Sequence, residues 1–390
     1  MFSSRLPQRL HANRVTLAVA AARGSRRTLL DLTETNPTVV GLPRPDEWGA
    51  IFDDPAVGRY HPEPFGLAAA RELIAREEGG GRLIRPEHVV LSASTSEAYS
   101  LLFKLLADAG DEVSVPRPSY PLFDMLTRLD EVRTVSYRLD PAGAWGLDRA
   151  SLEDSLTTRT RAVLVVSPNN PTGSMLRRSD REWLVELAAA RDLAIIADEV
   201  FAPYPLAAPS DAASFMGEDR ALVFTLGGLS KSAGLPQMKL AWTIASGPPA
   251  LLHEALSRLD LIADTYLSAS TPVQVALPRL IDAGRTRRAA IAGRLRQNLE
   301  TLRGVGRDAP WLTLGEPHGG WSAVLRVPAI GAEEDLVIRL IEAESVLVHP
   351  GYFFDFDEEA YLVVSLLPRP EIFEEAVRRV ARLCHTGAAA

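Results

Sequence analysis

Two stretches decide the fold: AVLVVS at residues 162–167 and LAIIAD at residues 193–198. Each is apolar almost throughout, without the alternation of a strand that keeps one face wet. Strands of a parallel sheet, covered by helices on both faces, have this composition. Working outward, further strand-length runs appear at His88–Ala93, Glu112–Val115, Arg133–Arg138, Ala221–Leu226 and Leu240–Ala245. Helical patterns such as Thr95–Leu106 and Ser179–Arg191 lie between them. Strands alternating with helices predict an α/β protein, with a mostly parallel seven-stranded sheet between helices.

The chain ends read differently. Asn13–Arg23 has a helical pattern, a short strand follows at Leu29–Leu32, and Asn36-Pro37 is a turn. From Thr286 to Gly304 runs an amphipathic helix rich in arginine, whose charges are expected in solvent. Two or three strands and a last helix, ending near Leu383, complete the chain. The expected division is a large domain at 46–279 and a smaller α+β domain built from both ends, 1–45 and 280–390.

The 390 residues are 46% hydrophobic and 24% charged, an ordinary globular balance. The net charge is −8 and the basic residues form no cluster, which argues against nucleic-acid binding. No apolar run is long enough for a bilayer, so no membrane partner is expected. Cys384 is the only cysteine, which excludes an internal disulfide and a Cys-rich metal site. His318 and His349 offer too few ligands for a metal, and none is expected. A cytoplasmic location is the default.

Five short segments follow successive strands. Gly228-Leu229-Ser230-Lys231-Ser232-Ala233-Gly234 comes after ALVFTL. A lysine desolvated at a strand end can lose its proton and attack a carbonyl, giving a Schiff base. Read alone, it is also compatible with a solvated loop lysine; a phosphate loop would require Gly immediately before it, where Ser230 stands. Asp198 ends LAIIAD, where an acid faces the ligand crevice and could keep a pyridine nitrogen protonated. Taken singly, it also fits a helix cap. Ser167-Pro168-Asn169-Asn170-Pro171-Thr172-Gly173 is a turn that could present the Asn170 amide. Ser94-Thr95-Ser96-Glu97 fits a capping box and offers a helix start to a phosphate. Tyr120, in Pro118-Ser119-Tyr120-Pro121, could stack on a ring or pack as a loop aromatic.

Together, in this order, the segments resemble the fold-type-I pyridoxal-phosphate enzymes, specifically class I/II aminotransferases, from about Asp31 to Leu383. The resemblance implies pyridoxal 5′-phosphate as cofactor, with Lys231 as Schiff-base lysine and proton shuttle. It implies Asp198 against the ring nitrogen, Asn170 against the ring hydroxyl, and Tyr120 stacked on the ring. Ser94, Thr95, Ser96, Ser230 and Lys239 would hold the phosphate. Tyr60 resembles a tyrosine that reaches the neighbouring subunit's phosphate, implying a homodimer with shared active sites. Asn36, His318, Trp321 and Arg369 are candidates for the substrate side, with His349 near the pocket.

Three positions depart from the family pattern. Lys239 stands where an arginine is usual, and Phe201 where a tyrosine is usual. Val363 stands where an arginine clamps the substrate carboxylate. The implied activity is transfer of an amino group between an amino acid or amine and an oxo acid. β-Elimination (C–S lyase) or decarboxylation on the same scaffold is the alternative. No G-x-G-x-x-G follows the first strand, which excludes a nicotinamide dehydrogenase.

Overall fold

A computed structural model describes residues 2–7, 11–25, 27–44, 48–329 and 331–388. The apolar runs pair into one sheet whose spatial order is Val89–Ser92, Ala241–Ser246, Val223–Gly228, Ala194–Asp198, Thr160–Val166, Glu112–Arg117, Arg133–Asp140 and Gly146–Leu147. The five strands from Val223–Gly228 to Arg133–Asp140 are mutually parallel. Ala241–Ser246 runs antiparallel to both its neighbours. The expected seven strands are all present. The eighth, Gly146–Leu147, is a two-residue antiparallel edge that follows Ala144 and Trp145, both at positive φ. So short a pairing leaves no periodic signal in the sequence.

Val163, Leu164, Ile195, Ile196, Val223 and Phe224 are inaccessible to solvent, which accounts for the missing alternation. Adjacent residues of a strand face opposite sides, and here each side meets its own apolar cluster. Leu164, Ile196 and Phe224 pack with Tyr99 and Phe103 of the helix Thr95–Leu106. Val163, Ile195 and Val223 pack with Leu184 and Ala188 of the helix Arg178–Arg191. Burying each such side chain contributes about 1.5–3 kcal/mol, so the central strands are the most strongly held part of the sheet.

The chain ends share a separate cluster. Val15, Leu32 and Leu42 from the N-terminal segment pack with Leu295, Leu325, Leu362 and Phe373. Asn13 caps the first helix, Arg14–Gly24, by accepting from the Thr16 amide. Leu30–Asp31 pairs in parallel with Val346–Leu347. A four-stranded antiparallel sheet takes the order Thr313–Gly315, Ser322–Arg326, Tyr361–Ser365, His349–Pro350. The long helix begins earlier than its amphipathic pattern, at Leu277, and continues to Asp308. Pro278 sits in its first turn, where a missing N–H costs nothing. The expected boundary at 280 therefore falls inside this helix, and the one at 46 lies outside the described residues. The final helix, Pro370–Ala388, continues past Leu383. No described helix is long and apolar enough to cross a membrane.

Candidate active site

The parallel strands place the motif residues at their carboxyl ends. Ser94 follows Val89–Ser92, Tyr120 follows Glu112–Arg117, Asn170 follows Thr160–Val166, Asp198 ends its own strand, and Lys231 follows Val223–Gly228. They converge on a cavity of about 270 Å³ lined by Ser94, Thr95, Ser96, Tyr120, Asn170, Asp198, Ser230 and Lys231. Trp321 and Phe201 also line it. The crevice outside the carboxyl ends of a parallel sheet is where α/β proteins bind ligands.

At one end of the cavity the helix Thr95–Leu106 begins. The Ser94 hydroxyl accepts from the Glu97 amide at 3.1 Å. Glu97 Oε2 accepts from the Ala93 amide, one residue before the position a capping box would use. The Thr95, Ser96 and Ser230 hydroxyls have no hydrogen-bond partner among the described residues. Unpaired hydroxyls beside a helix start, with its free N–H groups and positive dipole end, suit a phosphate group.

The adjacent asparagines divide their work. Asn169 is buried; its Oδ1 accepts from the Thr172 amide and hydroxyl, and its Nδ2 donates to the Pro118 carbonyl. It ties its own turn to the loop that carries Tyr120. Asn170 lines the cavity with its side-chain amide unpaired among the described residues.

Asp198 is buried and oriented by two donors. The Tyr99 hydroxyl donates to Oδ2 at 2.6 Å, and the Val200 amide donates to Oδ1 at 3.1 Å. Burial raises its pKa, opposed by these two bonds and by Lys231. The Lys231 Nζ makes no hydrogen bond among the described residues. Burial pushes its pKa down, opposed by the charge of Asp198. A half-buried lysine with a lowered pKa and one nearby acid is poised for amine chemistry.

Tyr99 and Tyr204 escaped the sequence reading. Tyr204 donates its hydroxyl to the Lys231 carbonyl at 2.6 Å, securing the loop that carries the lysine. Tyr99 lies one helical turn after Thr95, on the same face, a spacing that could have marked it. Tyr204 had no such signal, because the loop after Asp198 has no period. Thr35 also lines the cavity.

Trp321 is in place, the only one of the expected substrate-side residues that lines the cavity. Three others are elsewhere. Asn36 is exposed, and its Oδ1 accepts from the Thr38 amide and hydroxyl in a local turn. His318 Nδ1 accepts from the Met175 amide, and the His318 carbonyl accepts from Leu206 and Ala207, so it serves a loop junction. Arg369 is exposed and lies over Gly41. Lys239 and Tyr60 are also exposed and outside the cavity wall, Tyr60 with 82% of its surface free. His349 pairs in register with Val363 and packs against Phe353 and Phe354. Val363 is buried in an apolar cluster with Val324, Phe354 and Tyr361. Lys231 is thus the only cationic side chain among the described lining residues. The described residues contain no cluster of metal-ligating side chains.

Comparison with known proteins fits this geometry. The family model "Aminotransferase class I and II" matches residues 50–380. The glutamate-pyruvate aminotransferase AlaA of Haemophilus influenzae is 26% identical over 366 residues, covering 91% of this chain and 90% of that protein. An alanine aminotransferase of Mycobacterium bovis is 28% identical over 395 residues, covering 97% of this chain and 89% of that protein. The structure of an Escherichia coli aminotransferase superimposes with a TM-score of 0.87 at 24% identity, covering 99% of this chain and 98% of that one. The alanine aminotransferase structure from Pyrococcus furiosus gives 0.84 at 23% identity, covering 95% and 96%. With the family model spanning both the sheet and the long helix, this chain belongs to the aminotransferase class I and II family.

Proposed function

We propose that this chain is an aminotransferase whose pyridoxal phosphate is carried by Lys231. The observation that carries the reading is convergence: a half-buried lysine, a buried acid, a free amide and unpaired hydroxyls at a helix start line one cavity. When bound, the group supplies an electron sink that stabilises negative charge at the substrate's α-carbon.

Lys231 would supply the amine that holds the cofactor and then move a proton at the substrate carbon; burial, which lowers its pKa, favours the neutral form that both tasks use. Asp198 would meet the ring nitrogen and Asn170 the ring hydroxyl. Ser94, Thr95, Ser96 and Ser230 would hold the phosphate, with Lys239 nearby in sequence. Tyr120 and Phe201, which line the cavity, would flank the ring and limit water. Trp321 forms part of the substrate wall.

The reading takes 46–279 as the large, cofactor-holding unit and 1–45 with 280–390 as the small one, joined through the helix Leu277–Asp308. It also takes the enzyme to be a cytoplasmic homodimer, in which the exposed Tyr60 reaches the other subunit's site. The relatives named above are aminotransferases, and three of their names specify alanine or glutamate with pyruvate. They support small amino and oxo acids as substrates and give no support to β-elimination or decarboxylation. Because this chain brings no guanidinium to the described cavity wall, the donor panel must include amines as well as amino acids.

The test mixes purified protein and pyridoxal phosphate with alanine, glutamate and simple amines. A visible band that depends on Lys231, and that a donor converts to the amine form without added acceptor, is the expected result. Ammonia release or carbon dioxide release with the band persisting would overturn transamination. A Lys231→Ala protein that keeps the band would overturn the lysine assignment.

A further inference from the structure

The Tyr99 hydroxyl has one acceptor, Asp198 Oδ2, at 2.6 Å. Tyr99 is only 2% exposed, and its ring is held edge-on by Phe123 at 5.3 Å and stacked against Phe103 at 6.1 Å. The side chain therefore has little freedom to release the bond. A buried tyrosine hydroxyl needs a partner, but a backbone carbonyl would serve as well. Here the partner is the one carboxylate among the described lining residues of the cavity. The other oxygen of that carboxylate takes the Val200 amide. Each oxygen of Asp198 thus has one fixed donor, and the remaining lone pairs are left for a ligand in the cavity.

We propose that Tyr99 is a positioning residue for Asp198: it fixes the plane of the carboxylate and tempers its basicity toward the nitrogen of a heteroaromatic ring. The inference rests on the reading that Asp198 meets the cofactor's ring nitrogen. A short bond from a neutral hydroxyl to a carboxylate is charge-assisted and stronger than a neutral pair. It withdraws charge from Oδ2, so the acid binds a proton on the ring less tightly than a free carboxylate would. The same helix whose N-terminus faces the phosphate site thereby also sets the ring's other end. Thr95 and Tyr99 are one turn apart on that helix, so its placement aligns both.

The test compares the holoenzymes of the wild type, Tyr99→Phe, Asp198→Asn and the double variant. Tyr99→Phe keeps the ring packing and loses only the donor. Its visible band should still form, but with a displaced pH titration. Its kcat should fall about tenfold or more, with KM changing far less, the size expected for losing a hydrogen bond to a charged group. In the Asp198→Asn background the same change should have little further effect, because the coupled partner is already gone. Reconstitution with a cofactor analogue carrying carbon in place of the ring nitrogen should remove the difference between wild type and Tyr99→Phe.

Unchanged titration and kcat in Tyr99→Phe would overturn the proposal. So would an equal loss with both cofactors, which marks a packing effect alone. Failure of the wild type itself to form the Lys231-dependent band would instead defeat the underlying site reading.

Discussion

Lys231 Nζ lies 4.8 Å from the centre of the Trp321 ring and 5.3 Å from that of Phe201. The two rings themselves meet edge to face at 5.6 Å. They replace water around the amine with aromatic carbon. An aromatic face attracts a cation, but it solvates one less well than water does, so the net effect of burial is a lowered pKa.

That lowering gives stability a pH dependence. The folded lysine titrates below its ordinary 10.5, so between the folded value and 10.5 the unfolded chain binds more protons. Stability of the cofactor-free protein should rise with pH across that window and reach its full value above 10.5. Thermal unfolding of wild type and Lys231→Met across the alkaline range checks it. The variant should lack this rise, and parallel curves would count against the burial argument.

Glu78 should act in the opposite sense. Burial raises its pKa from 4.5 to about 7, with Glu199 and Glu77 reinforcing the shift and Arg288 opposing it. A folded value above the unfolded one gives a contribution that is complete below 4.5 and is lost as pH rises through about 7. Glu78→Gln should therefore be more stable than wild type at pH 8, by roughly 1–3 kcal/mol. The advantage should vanish near pH 4. Urea denaturation at the two pH values measures the difference.

Arg287 clamps two loops through three carbonyls, without an acid. Its guanidinium donates to the carbonyls of Gly234 at 2.9 Å and of Pro43 and Pro37 at 2.5 Å each. The side chain is buried, so the bonds to carbonyls stand in for a counter-ion. Arg287→Met should cost about 2–4 kcal/mol, because it leaves buried carbonyls unpaired. The loss should appear in urea denaturation, with faster proteolysis of the segment 33–44 that the arginine holds beside the lysine loop.

Gly173 cannot accept a side chain. Its φ is +72°, and a Cβ there would lie 2.5 Å from Pro317 Cβ and 2.6 Å from the Gly319 carbonyl oxygen. Its own carbonyl accepts from the His318 and Gly319 amides. Gly173→Ala should destabilise the fold by about 3 kcal/mol or more, since backbone strain and overpacking add. Because the turn also carries Asn170, the variant should bind pyridoxal phosphate more weakly, measured by equilibrium titration of the visible band. Wild-type stability and affinity together would show that the turn can relax.

Much of the site could be read locally. Ser94, Asn170, Asp198 and Lys231 each lie at or just after the end of a strand whose apolar run announces it. A parallel sheet brings the ends of such strands to one edge whatever the details of packing. The sequence by itself therefore determined the sheet's central strands, its crevice and the motif residues at its rim. It could not place Asn36, His318 or Arg369, which lie on irregular segments whose direction is set by their own turns and by distant partners. It also misjudged Arg287: helical spacing shows an arginine among many, and only packing against Gly234, Pro37 and Pro43 buries it. The Tyr99–Asp198 bond spans 99 residues and was decided by tertiary structure alone. Periodicity reports which face of an element is buried. Which polar atoms meet inside depends on how separate elements dock, and that is settled only when the whole chain folds.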